Sequence, residues 1–292
     1  MRPRPDAIVF DVDGVLVDTE MSYIEAVART VQWLLVHDAG LSDDGPAVDR
    51  ATVHEWKRTG LWNDDWDLCY AMYCWLITDA GQTTTQRRRS AEPVERAALR
   101  TLVDLDDRVG GGRRRTWEDV RGVFEEIYNG THVAVARYGV EPRVRQGRGL
   151  AETERVLLAP TLLADLRSLG IGKVGIVTGR SRVDWSAVAT RLPLPPDVAV
   201  ATMEDGRKPD PAPLRKVVRE LGPRSFISVG DTRTDLELVQ RWNATDEGRT
   251  VPGTGVMLCP AEDEPVYRDL GGTLFIRSLA GLPALLGRSR PS

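Results

Sequence analysis

The chain has 292 residues, 41% hydrophobic and 28% charged, with 39 basic against 43 acidic side chains and a net charge of −4. That length suffices for two compact units, each with its own core. The near-even charge balance excludes the strongly basic surface of a nucleic-acid binder, and no apolar run approaches the roughly 18 residues that a membrane span needs. The N-terminal Arg2-Pro3-Arg4-Pro5 is not a secretory signal. Cys69, Cys74 and Cys259 lack metal-ligand spacing and read as reduced thiols, so the expectation is a soluble, cytoplasmic protein.

In chain order, Ala7 to Phe10 are apolar without alternation, as in a strand buried on both faces of a parallel sheet. That strand ends in Asp11-Val12-Asp13-Gly14, two carboxylates beside a glycine that allows a sharp turn. Asp18 and Thr19 can start a helix, along which Tyr23, Ile24, Val27, Val31, Leu34 and Leu35 recur at helical spacing before Gly40, Gly45 and Pro46. From Val53 to Ile77 the segment holds Trp56, Trp62, Trp66, Tyr70, Tyr73 and Trp75, which read as the core of a small helical domain rather than a platform for stacking bases. Basic loops are expected over Gln82–Ser90 and Val109–Arg115, flanking a helix over Ala91–Leu105. Thr116 and Asp119 form a capping-box pattern ahead of Val120, Val123, Phe124 and Ile127, with Asn129 and Gly130 as the stop.

From Pro160 the texture changes to strands alternating with helices. Strands are predicted at Lys173–Val177, Val198–Thr202, Phe226–Val229, Gly255–Leu258 and Thr273–Ile276. Helices begin near Pro160, Ser181 and Pro211 and after Asp231, with Gly170 and Gly222 as stops. This alternation predicts a parallel sheet covered by helices on both faces.

Each motif with chemical content follows a predicted strand. A carboxylate pair at Asp11 and Asp13 suits metal-dependent catalysis at the carboxyl end of a sheet, although Asp and Gly are also ordinary turn residues. Thr178, Gly179 and Arg180 offer a hydroxyl and free N–H groups at a helix start, a cradle for phosphate oxygens. Lys208, in an extended segment before Pro209, either projects a positive charge into the site or is a surface lysine. Asp231 and Asp235 can share one face of a helix start, and either can simply cap it.

Together these segments, DVDGVLVD, VTGR, the KPDP lysine and VGDTRTD, resemble the four signatures of the haloacid dehalogenase superfamily, in order. The resemblance implies an α/β fold: a Rossmann-like, doubly wound parallel sheet of residues 1–19 and 157–292, with an all-helical cap of residues 20–156 inserted after the first motif, as in subfamily I members with a type 1 cap. It implies a phosphatase in which Asp11 attacks phosphorus to form an aspartyl-phosphate. Mg²⁺ would be held by Asp11, Asp13 (through its carbonyl) and Asp231; Thr178, Gly179 and Lys208 would bind the phosphate, and Asp13 would act as acid and base. Asp235 would orient Asp231 or a metal-bound water. The acid at position 13 speaks for phosphoryl transfer over dehalogenation.

Such caps exclude water and favour a small phosphorylated metabolite as substrate. Lys57, Asn63, Asp64 and Asp65 are the candidate cap contacts to the leaving group, with a solvated turn as the alternative. Lys57 is also the only lysine of the insert, which keeps open the Schiff-base chemistry of family members that cleave phosphonoacetaldehyde. A phosphomutase and a non-catalytic ligand- or partner-binding protein on the same scaffold are the remaining readings.

Overall fold

Ala7, Ile8, Val9 and Phe10 form strand β1 and are each at most 1% exposed. The computed structural model describes residues 4–58, 62, 64–77, 82–86 and 115–288. The expected helix over 91–105, most of the two basic loops, and Asn63 lie outside these residues. Further strands are β2 (Val17–Asp18), β3 (Arg155–Val156), β4 (Lys173–Val177), β5 (Ala199–Ala201), β6 (Phe226–Gly230), β7 (Gly253–Leu258) and β8 (Leu274–Ile276). Six of them make one sheet in the order β5-β4-β1-β6-β7-β8, with every pairing parallel.

In register, Phe10 lies beside Ile176 of β4 and Val229 of β6. The strand order reverses at β1, and the carboxyl ends of β1, β4 and β6 therefore open on one crevice, where sheets of this kind hold ligands.

Both faces of the sheet are covered, which is why its strands read as apolar runs. On one face Ile8, Phe10, Ile176 and Val229 pack against Leu163 and Leu166 of helix Leu162–Ser168 and Val188 of helix Arg182–Ala189. On the other, Val9, Ala199 and Phe226 meet Val217 of helix Ala212–Leu221 and Trp242 of helix Arg233–Ala244. Each large side chain buried this way contributes about 2–3 kcal/mol. Ser181 caps its helix by accepting from the Asp184 amide, and Gly222 ends another in the left-handed region.

The chain divides into two compact units, Met1–Asp18 with Arg155–Ser292, and Thr19–Glu154. The first break falls one residue earlier and the second two residues earlier than the sequence reading set them, because Arg155 and Val156 pair antiparallel with Asp18 and Val17. A two-residue ribbon is too short to leave a periodic signal.

Within Thr19–Glu154 the described helices are Glu25–His37, Arg50–Arg58, Asp65–Ile77, Trp117–Asn129 and Thr131–Tyr138, preceded by a π-helical turn at Glu20–Ile24. Their core takes up Trp56, Trp62, Tyr70, Tyr73 and Trp75, with Trp66 packed at its edge. Thr116 and Asp119 form the reciprocal capping box. Helix Thr131–Tyr138 lies within the expected all-helical insert but was not singled out, since only Ala134 among its residues is buried and it carries no apolar stripe. Among the described residues no helix is long and apolar enough to cross a membrane.

Candidate active site

Asp11 is the first residue beyond β1, and its amide still pairs with the Val229 carbonyl of β6 at 2.9 Å. The sheet thereby carries the Asp11 carboxylate into the crevice, where it is 7% exposed. The chain then closes a tight loop: the amides of Leu16 and Val17 both donate to the Val12 carbonyl, at 2.8 and 2.9 Å. Gly14, at φ +73°, takes the left-handed turn and lies against Asp231, since a Cβ there would come within 2.0 Å of Asp231 Oδ2.

Lys208 reaches the same place from the segment after β5. Its Nζ lies 2.8 Å from Asp11 Oδ1 and donates to Asp235 Oδ1 at 2.6 Å. Burial works to lower the ammonium's pKa, and the flanking carboxylates of Asp11 and Asp235 outweigh it, so Lys208 is held above the ordinary lysine range. Asp11 is pushed up to about 7, by burial first; Lys208 opposes the rise, and the charges of Asp235 and Asp13 add to it.

Asp231 follows β6. Burial, then the charges of Asp11 and Asp235, raise its pKa well above the carboxylate range. Asp235 both caps and reaches inward: its Oδ2 accepts from the Thr232 amide at 3.1 Å and the Thr232 hydroxyl at 2.5 Å, while Oδ1 holds Lys208. Its hydrogen bonds thus go to the helix start, as the capping alternative had it, and to Lys208, with no hydrogen bond to Asp231.

Thr178 follows β4 and is buried, with its Oγ1 accepting from the Arg180 amide at 3.1 Å, so the hydroxyl keeps its proton to donate elsewhere. Gly179 is exposed, and an added Cβ there would meet nothing within 4 Å. An anion can approach that backbone closely.

Carboxylate oxygens of Asp11, Asp231 and Asp235 all lie within 4.8 Å of one another. With Asp11, Asp13, Asp231 and Asp235 all ionised, as a bound cation would favour, the two cations beside them, Lys208 and Arg180, would leave two negative charges to spare. Asp231 Oδ1 is buried without a hydrogen-bond partner. Oxygen donors with an unsatisfied lone pair and a charge deficit of two fit a hard divalent cation. Among the described residues, Asp11, Asp231 and Asp235 are the group whose carboxylates could hold such an ion, with Asp11 and Asp235 also ion-paired to Lys208.

Two side chains that sequence reasoning gave no role stand in this site, that of Arg180, whose main chain alone was read as part of the phosphate cradle, and that of Tyr267. Arg180 holds Asp13 through two nitrogens, at 2.9 and 2.6 Å. Tyr267 donates its hydroxyl proton to the Asp231 carbonyl at 2.7 Å, from helix Glu264–Asp269. Burial first, then the carboxylates of Asp231 and Asp235, raise the tyrosine's pKa and keep it a donor. The signal for Arg180 was its place as the last residue of the VTGR motif after β4; Tyr267 left none.

In the helical unit, Lys57 is ion-paired with Asp65 at 2.6 Å, and Asp64 accepts from the amides of Trp66 and Asp67 at the start of helix Asp65–Ile77. These bonds give Lys57 and Asp64 structural work within their own unit.

Comparison with known proteins places this geometry. In sequence the chain is 24% identical over 258 residues to an imidazoleglycerol-phosphate dehydratase of Phytophthora nicotianae, an alignment covering 87% of this chain and 45% of that protein. The chain thus spans about half the length of that relative. In three dimensions it is similar to phosphatase Tt82 from Thermococcus thioreducens, with a TM-score of 0.59 and 24% identity over 91% of this chain and 99% of that one. It is also similar to a hydrolase from Pseudomonas syringae, with a TM-score of 0.54 and 15% identity over 98% of this chain and 99% of that one. Structural likeness at such identities speaks for the fold alone. A family model described as haloacid dehalogenase-like hydrolase matches residues 5–241, a span that takes in Asp11, Thr178, Lys208 and Asp231 alike, and the chain accordingly belongs to the haloacid dehalogenase-like hydrolases.

Proposed function

We propose that the protein is a Mg²⁺-dependent phosphatase that hydrolyses a small phosphorylated metabolite through an aspartyl-phosphate on Asp11. The observation that carries this reading is the buried Asp11 carboxylate, held 2.8 Å from Lys208 and with an oxygen within 4.8 Å of a carboxylate oxygen of Asp231, a residue whose Oδ1 is buried and unsatisfied. Mg²⁺ would be held by the Asp11 carboxylate, the Asp13 carbonyl and Asp231, and when bound it would offset the repulsion between an anionic nucleophile and an anionic phosphate.

In this scheme Asp11 attacks phosphorus, and the P–O bond to the leaving group breaks as the P–O bond to Asp11 forms. The Thr178 hydroxyl, the Gly179 amide and the Lys208 ammonium hold the oxygens of the transferring group, where charge concentrates. Asp13 gives its proton to the departing oxygen and takes one back from the water that attacks the aspartyl-phosphate. Phosphate is released and both carboxylates return to their starting states. The small size of the substrate rests on the family resemblance.

The test is turnover of p-nitrophenyl phosphate with Mg²⁺ by wild-type and Asp11→Asn protein, followed by a panel of metabolite phosphates. Imidazoleglycerol phosphate, named for the longer relative, belongs in that panel. Asp11→Asn is expected to lose at least about a thousandfold in rate. Undiminished turnover would remove Asp11 as nucleophile. Recovery of an isomerised sugar phosphate in place of free phosphate would assign a phosphomutase, and no Mg²⁺-dependent hydrolysis across the panel would assign a non-catalytic binding protein.

A further inference from the structure

Asp13 is held by a side chain that takes no part in the chemistry just described. The Arg180 guanidinium donates to Oδ1 of Asp13 from Nε at 2.9 Å and from Nη2 at 2.6 Å. The arginine side chain is 3% exposed, whereas Asp13 is 30% exposed. Of the two carboxylate oxygens, Oδ1 alone is taken by this fork, and the asymmetry in exposure turns the rest of the aspartate toward solvent in the crevice.

Both partners are fixed from behind by backbone. The Arg180 amide donates to Thr178 Oγ1 at 3.1 Å, and the Arg180 carbonyl accepts from the Met203 amide at 3.0 Å. On the other side, the loop after β1 is locked by the bonds to the Val12 carbonyl and by the Gly14 amide donating to Val17 at 2.9 Å. The ion pair therefore joins the ends of β1 and β4, adjacent strands of the sheet. A carboxylate on a two-bond side chain can rotate about χ2 at little cost. Two donors from a planar guanidinium on one oxygen remove that rotation, whereas an ammonium, a single point charge, would not.

We propose that Arg180 is a positioning residue for Asp13: it fixes the carboxyl so that Oδ2 faces the departing oxygen of the substrate. This rests on the phosphatase reading, and specifically on Asp13 as the proton donor. Loss of the fork leaves Asp13 in place but free to turn, so proton delivery to the leaving group suffers while binding of the phosphate does not.

The test compares two esters whose leaving groups differ in their need for a proton. p-Nitrophenolate departs without one; the alkoxide of an alkyl phosphate does not. For each ester, kcat/KM covers the steps up to the aspartyl-phosphate, so later hydrolysis of that intermediate does not enter. The alkyl ester used is the one turned over fastest in the metabolite panel. Arg180→Gln is expected to lower kcat/KM for it by about a hundredfold and for p-nitrophenyl phosphate by less than about fivefold, within the range general acid catalysis spans. Arg180→Lys is expected to recover only about a tenth of the loss, with the same split. The ratio of the two esters is measured on one sample, so partial loss of folded protein cancels.

Equal losses on both esters, or no loss, would overturn the inference. Asp13→Asn separates the two levels of the argument. If Asp13→Asn shows the split and Arg180→Gln does not, positioning by Arg180 is wrong and the phosphatase reading stands. If Asp13→Asn itself shows no split, the proton-donor role falls and the inference falls with it.

Discussion

Gly14 and Asp231, on opposite sides of the inserted helical segment in sequence, lie so close that a Cβ on Gly14 would sit 2.0 Å from Asp231 Oδ2. The glycine also holds φ at +73°. Gly14→Ala therefore suffers twice, from about 1–2 kcal/mol of left-handed backbone and from displacement of the Asp231 carboxylate. Gly222→Ala is the matched control, at φ +53° with nothing within 4 Å, and it incurs the backbone cost alone. Both variants are expected to melt lower, but only Gly14→Ala should lose the rise in melting temperature that Mg²⁺ produces. The measurement is thermal unfolding of each with and without Mg²⁺.

The pH dependence of stability follows from Asp11. In the folded, chelated protein its pKa is raised to about 7 from an ordinary 3.8, chiefly by burial, against the pull of Lys208. Between those values the folded chain keeps a proton that the unfolded chain has released, so stability falls as pH rises from about 4 to about 7 and stays lowered above it. Buried Asp231 is raised too, which adds in the same direction. Chelated wild type should lose stability relative to Asp11→Asn through this window, and saturating Mg²⁺ should abolish the difference. Denaturant melts in EDTA at several pH values check this; a difference that stays flat or reverses sign contradicts it.

Tyr267→Phe removes one hydroxyl and leaves the ring among Leu236, Met257, Cys259 and Phe275. What is lost is the 2.7 Å bond to the Asp231 carbonyl, which holds the main chain of a residue whose carboxylate faces the proposed cation. A stability loss of about 1 kcal/mol is expected. Mg²⁺ affinity should weaken several-fold, as read by calorimetry. Unchanged affinity would show that the helix carrying Tyr267 does nothing for the site.

Glu126 is the corresponding test in the helical unit. It is fully buried and accepts from the Thr131 hydroxyl at 2.7 Å and from the amides of Arg143, Val144 and Arg145 at 2.6, 3.1 and 3.0 Å. Burial would raise its pKa, but these four donors outweigh burial and hold it below the ordinary 4.5. The stabilisation is then present above that value and is lost as pH falls through the lower folded pKa. Glu126→Gln replaces one acceptor oxygen by an amide donor and should cost about 2–3 kcal/mol. Mg²⁺ affinity should be unchanged, since no site residue contacts this network. Tryptophan-fluorescence melts and calorimetry report the two quantities.

How much of this was legible beforehand depends on the range over which each feature is encoded. The strands at β1, β4 and β6 could be read because a strand covered on both faces has no reason to alternate, and Ala7–Phe10, Lys173–Val177 and Phe226–Gly230 are covered on both. The Thr116–Asp119 box and the Gly222 stop are local bonds between near neighbours, so the residue types alone announce them. Asp11, Thr178, Lys208 and Asp231 were singled out by the resemblance of four ordered motifs to one family's signatures, since each alone also reads as a turn, cap or surface residue. Helix Thr131–Tyr138 and the ribbon of β2 with β3 were not singled out, because neither is long or regular enough to show a period.

What the sequence by itself determined is which side chains stand at the ends of which strands. The tertiary structure alone decided what those side chains touch: Arg180 on Asp13, Tyr267 on the Asp231 carbonyl, Asp235 on Lys208, Gly14 against Asp231. The physical reason is that a periodic pattern records only the face of a single element, whereas these contacts join segments whose approach is set by the parallel pairing of β1 with β4 and β6.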